Sequence, residues 1–168
     1  LPISWALPGL ASPVLQQLLI TTDPGAAASQ PGLSITGLPE IDSAALRQLL
    51  GLQLGRPLSP QAVQAMVTEV NRRLAAAGQP FSVASVPDQD VSRGQLRIVV
   101  TRGRLAALRI TGAADADAIS RQFDAMRGDA PIDAAALDAT LAWIDRALPG
   151  RQSEARFSPG AQPGAVAL

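Results

Sequence analysis

The 168-residue sequence contains no histidine, cysteine, tyrosine or lysine. Without His or Cys there is no Ser-His-Asp or Cys-His nucleophile, no Cys/His zinc site, no haem held through either residue and no CxxC redox pair. Without Lys there is no Schiff base and no P-loop. Catalysis is left to Asp, Glu, Arg, Ser and Thr, the kind of set with which carboxylate-pair glycosidases work. All 14 basic residues are Arg and 14 acidic residues balance them. A neutral chain lacks the basic excess that a phosphate backbone or an anionic membrane surface rewards. What is abundant is apolar: 47% of residues, enough for a packed core in one medium domain or two small ones. The absence of Cys is compatible with cytosol or periplasm.

Residues 1–22 carry no charge, but Pro2, Pro8, Pro13 and Gly9 break any membrane span. A signal peptide fits no better, since the start is not basic. The local reading is a short helix from about Pro13 to Ile20, with Ser12 as cap. Asp23-Pro24-Gly25 through Gln30-Pro31-Gly32 reads as a linker.

From there the chain repeats itself. Leu33-Ser34-Ile35-Thr36-Gly37 returns 75 residues later as Leu108-Arg109-Ile110-Thr111-Gly112, each a β-favouring run closed by Gly. Helical patterns follow, with Ala45, Leu46, Leu49 and Leu50 on one face of the first copy and Ile119, Phe123 and Met126 on the second. Leu58, Ser59, Ala62, Val63, Val67, Val70, Asn71 and Leu74 then match Ile132, Asp133, Ala136, Leu137, Leu141, Ile144, Asp145 and Leu148 at a constant offset of 74. Ser59 and Asp133 are N-caps, and Gly78 and Gly150 stop the helices. Strands are expected at Phe81–Val86 and Gln95–Thr101, and in the second copy at Ser153–Phe157 and Ala165–Leu168. The last strand is shorter than its counterpart, and the parent protein is expected to continue beyond it. Each copy is therefore α+β, a β-α-α-β-β unit. Its three-stranded mixed sheet is covered on one face by two helices, with the first strand parallel to the third and the second left as an edge.

These residues resemble tandem POTRA domains of the two-partner secretion, haemolysin secretion and activation type. The resemblance rests on Pro57-Leu58-Ser59, Gly78, Val86-Pro87-Asp88-Gln89-Asp90, Gly94-Gln95-Leu96 and Gly103-Arg104. In the second copy it rests on Phe157-Ser158-Pro159-Gly160-Ala161-Gln162-Pro163-Gly164. The chain departs from the pattern at Gln79, where many members have Tyr, and at Ala167, where many carry an acid. The division that follows is an N-terminal segment and linker at 1–30, a first POTRA at 31–104 and a second at 105–168. The resemblance implies a non-enzymatic module on the periplasmic face of the bacterial outer membrane, with no cofactor. Its partners would be an unfolded secreted protein and a C-terminal β-barrel of the same parent chain, with no nucleic acid and no small-molecule substrate. The alternative within the fold is a scaffold in barrel assembly or cell division that docks folded partners.

An exposed sheet edge can take a strand from an extended chain through main-chain hydrogen bonds. The expected edges are Phe81, Ser82, Val83, Ala84, Ser85 and Val86 in the first unit, and Ser153, Glu154, Ala155, Arg156 and Phe157 in the second. Arg102, Arg104 and Arg109 lie near the junction, as a solvated face or as residues setting the interdomain angle by pairing with Asp115 or Asp117. Phe81, Phe123 and Phe157 read more simply as core. Asn71 and Asp145 read as solvent-facing or as caps of local backbone. Asp88 and Asp90 form either a carboxylate pair or, the favoured reading, a turn. Trp143 packs on the sheet or lies partly exposed.

Overall fold

A computed structural model describes residues 12–111, 115–128 and 130–147, with the backbone of 158–159 and 165–167. The chain divides into two units, residues 1–77 with 84–101 and residues 78–83 with 102–168.

The sheet of the first unit has four strands, β1 (Gln17–Thr21), β2 (Gly32–Thr36), β3 (Val83–Ser85) and β4 (Gln95–Thr101), in the order β2-β1-β4-β3. Gln17–Ile20 lies within the segment expected to be a helix, about Pro13 to Ile20. It is instead an inner strand, parallel to β2 on one side and to β4 on the other. The reason is the unbroken Leu18-Leu19-Ile20 run. A strand buried on both faces needs apolar residues at consecutive positions, whereas an eight-residue helix would bury only one stripe. All five β1 residues are buried, and Leu18, Leu19 and Ile20 contribute roughly 1.5–3 kcal/mol each through burial. The expected direct pairing of β2 with β4 is accordingly replaced in this unit, and a three-stranded sheet becomes four-stranded.

Register sorts the side chains. Leu18, Ile20, Leu33, Ile35, Leu96 and Ile98 share the face covered by α1 (Ala44–Gly51) and α2 (Pro60–Ala76), and pack with Leu46, Leu50, Val63, Met66, Val70 and Leu74. Leu46 and Leu50 are buried on α1, while Ala45 and Leu49 of the expected stripe are exposed. Leu19, Thr21 and Val99 on the other face are buried as well. The β1–β2 connection is tied to that face by the Gln17 side-chain amide donating to Gln30 O and by Arg97 Nη1 donating to Ala26 O at 3.0 Å. Residues ahead of β1 stitch the α1–α2 connection, with Leu15 N–H on Arg56 O (2.8 Å) and Leu58 N–H on Pro13 O (2.7 Å). Gly94 makes the close approach possible. Its φ is 71°, its carbonyl receives the Gln16 and Gln17 N–H groups, and a Cβ there would collide with the Val14 carbonyl oxygen.

The repeated helix α2 and its counterpart α4 (Ala134–Ala147) start as the sequence predicts. Ala62 N–H donates to Ser59 Oγ (3.1 Å), and Ala136 N–H to Asp133 Oδ1 (2.9 Å). Leu58 and Ile132 just ahead of the caps are both buried, as are Val63 with Leu137 and Val70 with Ile144.

In the second unit β5 (Arg104–Ala107) runs parallel to β7 (Ala165–Ala167), which pairs antiparallel with β6 (Ser158–Pro159), in the order β5-β7-β6. This is the first-with-third pairing expected of the repeat. The first strand is displaced, however, from the expected Leu108–Thr111 to Arg104–Ala107. Its register pairs Arg104 with Ala165, Leu105 with Val166 and Ala107 with Ala167. Leu108 and Ile110 still turn inward against Leu105, Phe123, Ile132, Leu137, Ile144 and Ile119 of α3 (Ala116–Gln122). Phe81 packs on this same cluster. Gly103 N–H donates to Ser82 Oγ (3.3 Å), Ile132 N–H donates to Gly103 O (2.9 Å), and a Cβ on Gly103 would collide with Phe81.

Candidate polypeptide-binding edge

The edge expected at Phe81–Val86 is a strand only over Val83–Ser85. Phe81 and Ser82 are withdrawn from it by the contacts just described. Val86 is partly buried against the first core. Within β3, Val83 is 54% exposed, Ala84 is buried and Ser85 is exposed, the alternation of a strand packed on one face.

The backbone of this edge is guarded. Ala84 N–H donates to Oδ1 of Asn71 on α2 at 2.7 Å. In a three-residue strand with Val83 and Ser85 turned toward β4, Ala84 offers the single outward N–H. Asn71 therefore does more than cap local backbone: it ties helix to sheet margin across 13 residues of sequence.

Beyond Ser85 the chain reaches Pro87, which has no N–H to give to the ladder. The Gln89 side chain takes over. Its Nε2 donates to Arg97 O at 2.8 Å and its Oε1 accepts from Arg97 N–H at 2.8 Å. One side-chain amide thus stands in for a strand residue beside β4, which gives Gln89 of Pro87-Asp88-Gln89-Asp90 a structural task. Asp90 closes the turn, accepting Ser92 N–H at 2.9 Å. Hydrogen bonds from the Ser92 side chain and backbone hold its carboxyl below the usual carboxylate range. This is the favoured turn reading, and its local spacing was visible in sequence. Asn71 and Gln89 act across distances that local patterns do not reveal.

The second expected edge, Ser153, Glu154, Ala155, Arg156 and Phe157, lies outside the described residues. Arg104 opens β5, with Arg102 just before it and Arg109 after it; Arg102 and Arg104 are half-buried and Arg109 is exposed. Trp143 on α4 is 41% exposed. A polar cleft of about 310 Å³ at the start of β1 and β4 is lined by Gln16, Gln17, Gln30, Arg93 and Gln95 among others, and neither Asp88 nor Asp90 faces it. Among the described residues no group of three or more Asp and Glu side chains is placed to hold a metal ion. No helix among them is long and apolar enough to cross a membrane.

The family model of the ShlB-type POTRA domain matches residues 32–103, which takes in β2 through β4 and leaves β1 outside. A comparison with curated protein sequences returns no match. Among solved structures, CdiB from Escherichia coli superposes with a TM-score of 0.69 at 20% identity over 99% of this chain and 29% of that one. CdiB from Acinetobacter baumannii gives 0.69 at 16% identity over 96% and 29%. POTRA1-3 of the periplasmic domain of Omp85 from Anabaena gives 0.66 at 17% identity over 93% and 63%. The chain therefore spans less than a third of the CdiB chains that it resembles. The α+β architecture agrees with these likenesses: residues 32–103 match the model of the ShlB-type POTRA domain, and the chain has the fold of the POTRA structures that it resembles.

Proposed function

We propose that the chain is the periplasmic polypeptide-binding part of an outer-membrane two-partner secretion transporter. It receives an unfolded secreted partner by strand addition at a sheet edge and guides it to a β-barrel in the same parent protein. The ShlB-type match over residues 32–103 carries this reading. The likeness to CdiB and to the periplasmic domain of Omp85 supports it at the level of fold.

The physical chemistry is consistent with that role. Main-chain hydrogen bonds to an added strand ask little of the partner's sequence. A chain with net charge zero exerts no strong long-range field that would select for charge. The module works without catalysis and without a cofactor.

The test is an NMR titration of the chain with the N-terminal part of the large secreted protein encoded beside the parent gene. Amide shifts along a sheet-edge strand are the expected outcome. Unmoved edge amides at saturating partner would contradict the proposal.

A further inference from the structure

We infer that the first sheet accepts its added strand along β2, not along β3, and that the strand it accepts is an extended polypeptide with apolar residues at every second position. This rests on the strand-addition reading above and assigns the edge within it.

The direction of the β2 backbone is fixed by one bond. Gly32 N–H donates to Gln16 O at 3.1 Å, so Gly32, Ser34 and Thr36 turn their polar groups toward β1. By alternation Leu33 and Ile35 turn theirs outward. Neither residue's outward N–H has a partner among the described residues. At β3 the one outward N–H, on Ala84, is already held by Asn71.

The two edges also differ in defence. Natural sheets blunt their margins with short strands, charged side chains, proline or bulges. β3 is three residues long with Pro87 shortly after it. β2 is five residues long, its run Gly-Leu-Ser-Ile-Thr has neither charge nor proline, and its register with β1 is unbroken. Alternating outward N–H and C=O groups are met in full only by another extended backbone. The side chains set the pattern of that backbone. Leu33 and Ile35 are half-buried on the helix-covered face, packed against the first core. An added strand continues that layer if alternate residues are apolar, while its other residues lie level with Ser34 and Thr36.

The experiment titrates the full chain with a capped hexapeptide of alternating Thr and Val, followed by amide shifts and by solvent exchange. The expected result is that the Leu33 and Ile35 amides shift and exchange severalfold more slowly, while Ala84 is unaffected. Ile35→Pro removes one outward N–H and is expected to abolish the effect. The exchange reading on the unsubstituted chain decides the matter even if that variant fails to fold. Shifts confined to Val83–Ser85 overturn the assignment to β2 and leave strand addition standing. No shift on any strand overturns both.

Discussion

Asn71 Oδ1 accepts the Ala84 N–H at 2.7 Å, and this single bond closes one margin of the first sheet. Replacing Asn71 with Ala leaves a buried residue with an unpaired donor. The expected loss is about 1–2 kcal/mol, measured by denaturant unfolding, together with faster exchange of the Ala84 amide. Asn71→Asp keeps an acceptor in place and should lose much less.

Gln89 offers a sharper test of a side chain acting as backbone. Gln89→Ala strips Arg97 of both its N–H and its C=O partner and should cost about 1–3 kcal/mol by the same measurement. Gln89→Glu keeps the acceptor for Arg97 N–H but sets a carboxylate against the Arg97 carbonyl. It should fall between the parent chain and the Ala variant.

Gly94→Ala forces a side chain onto a residue at φ 71° and into the Val14 carbonyl. The conformational term alone is about 1–2 kcal/mol, and the collision adds to it. The amides of Leu18, Leu19 and Ile20 should then lose protection in hydrogen exchange, since β1 must shift away from β4. Unchanged protection there would contradict the inner position of β1.

Acid should weaken the first unit through Glu69. Hydrogen bonds from Arg72 and then Arg73 hold its carboxyl down to about 2, from an ordinary value of 4.5. A carboxylate depressed on folding contributes stability that is fully present above about pH 4.5 and is lost as pH falls toward 2. The Arg72 side chain is 61% exposed, so solvent screens part of this effect. Urea unfolding at successive pH values should show the decline, and Glu69→Gln should flatten it.

Much of this was legible in the sequence where chemistry is local. Ser59 and Asp133 cap their helices because a short polar side chain before an apolar stripe leaves little else to do. Leu96, Ile98 and Val100 recur at every second position of Gln95–Thr101 as the core face of a strand must. The misread positions share one cause, a choice made by distant parts of the chain. Leu18-Leu19-Ile20 is an apolar run too short for its period to separate helix from strand, and only neighbours on both sides settle it. The strand at 104–107 rather than 108–111 pairs with β7, and Leu105, Leu108 and Ile110 all reach the same core. The edge shrank to Val83–Ser85 because Phe81 and Ser82 are drawn to Gly103, some 20 residues away. The guarding of β3 by Asn71, and so the difference between the two edges, is a side-chain-to-backbone relation that no periodicity displays.

Strand addition at a sheet edge is the proposed mode of binding. Isotope-filtered NOE spectroscopy of the full chain with the N-terminal segment of the proposed secreted partner tests it. Strand addition along β2 predicts a regular series of backbone-to-backbone NOEs between that segment and one sheet edge, centred on Leu33 and Ile35. NOEs restricted to helix side chains, from a partner that stays folded, would contradict it.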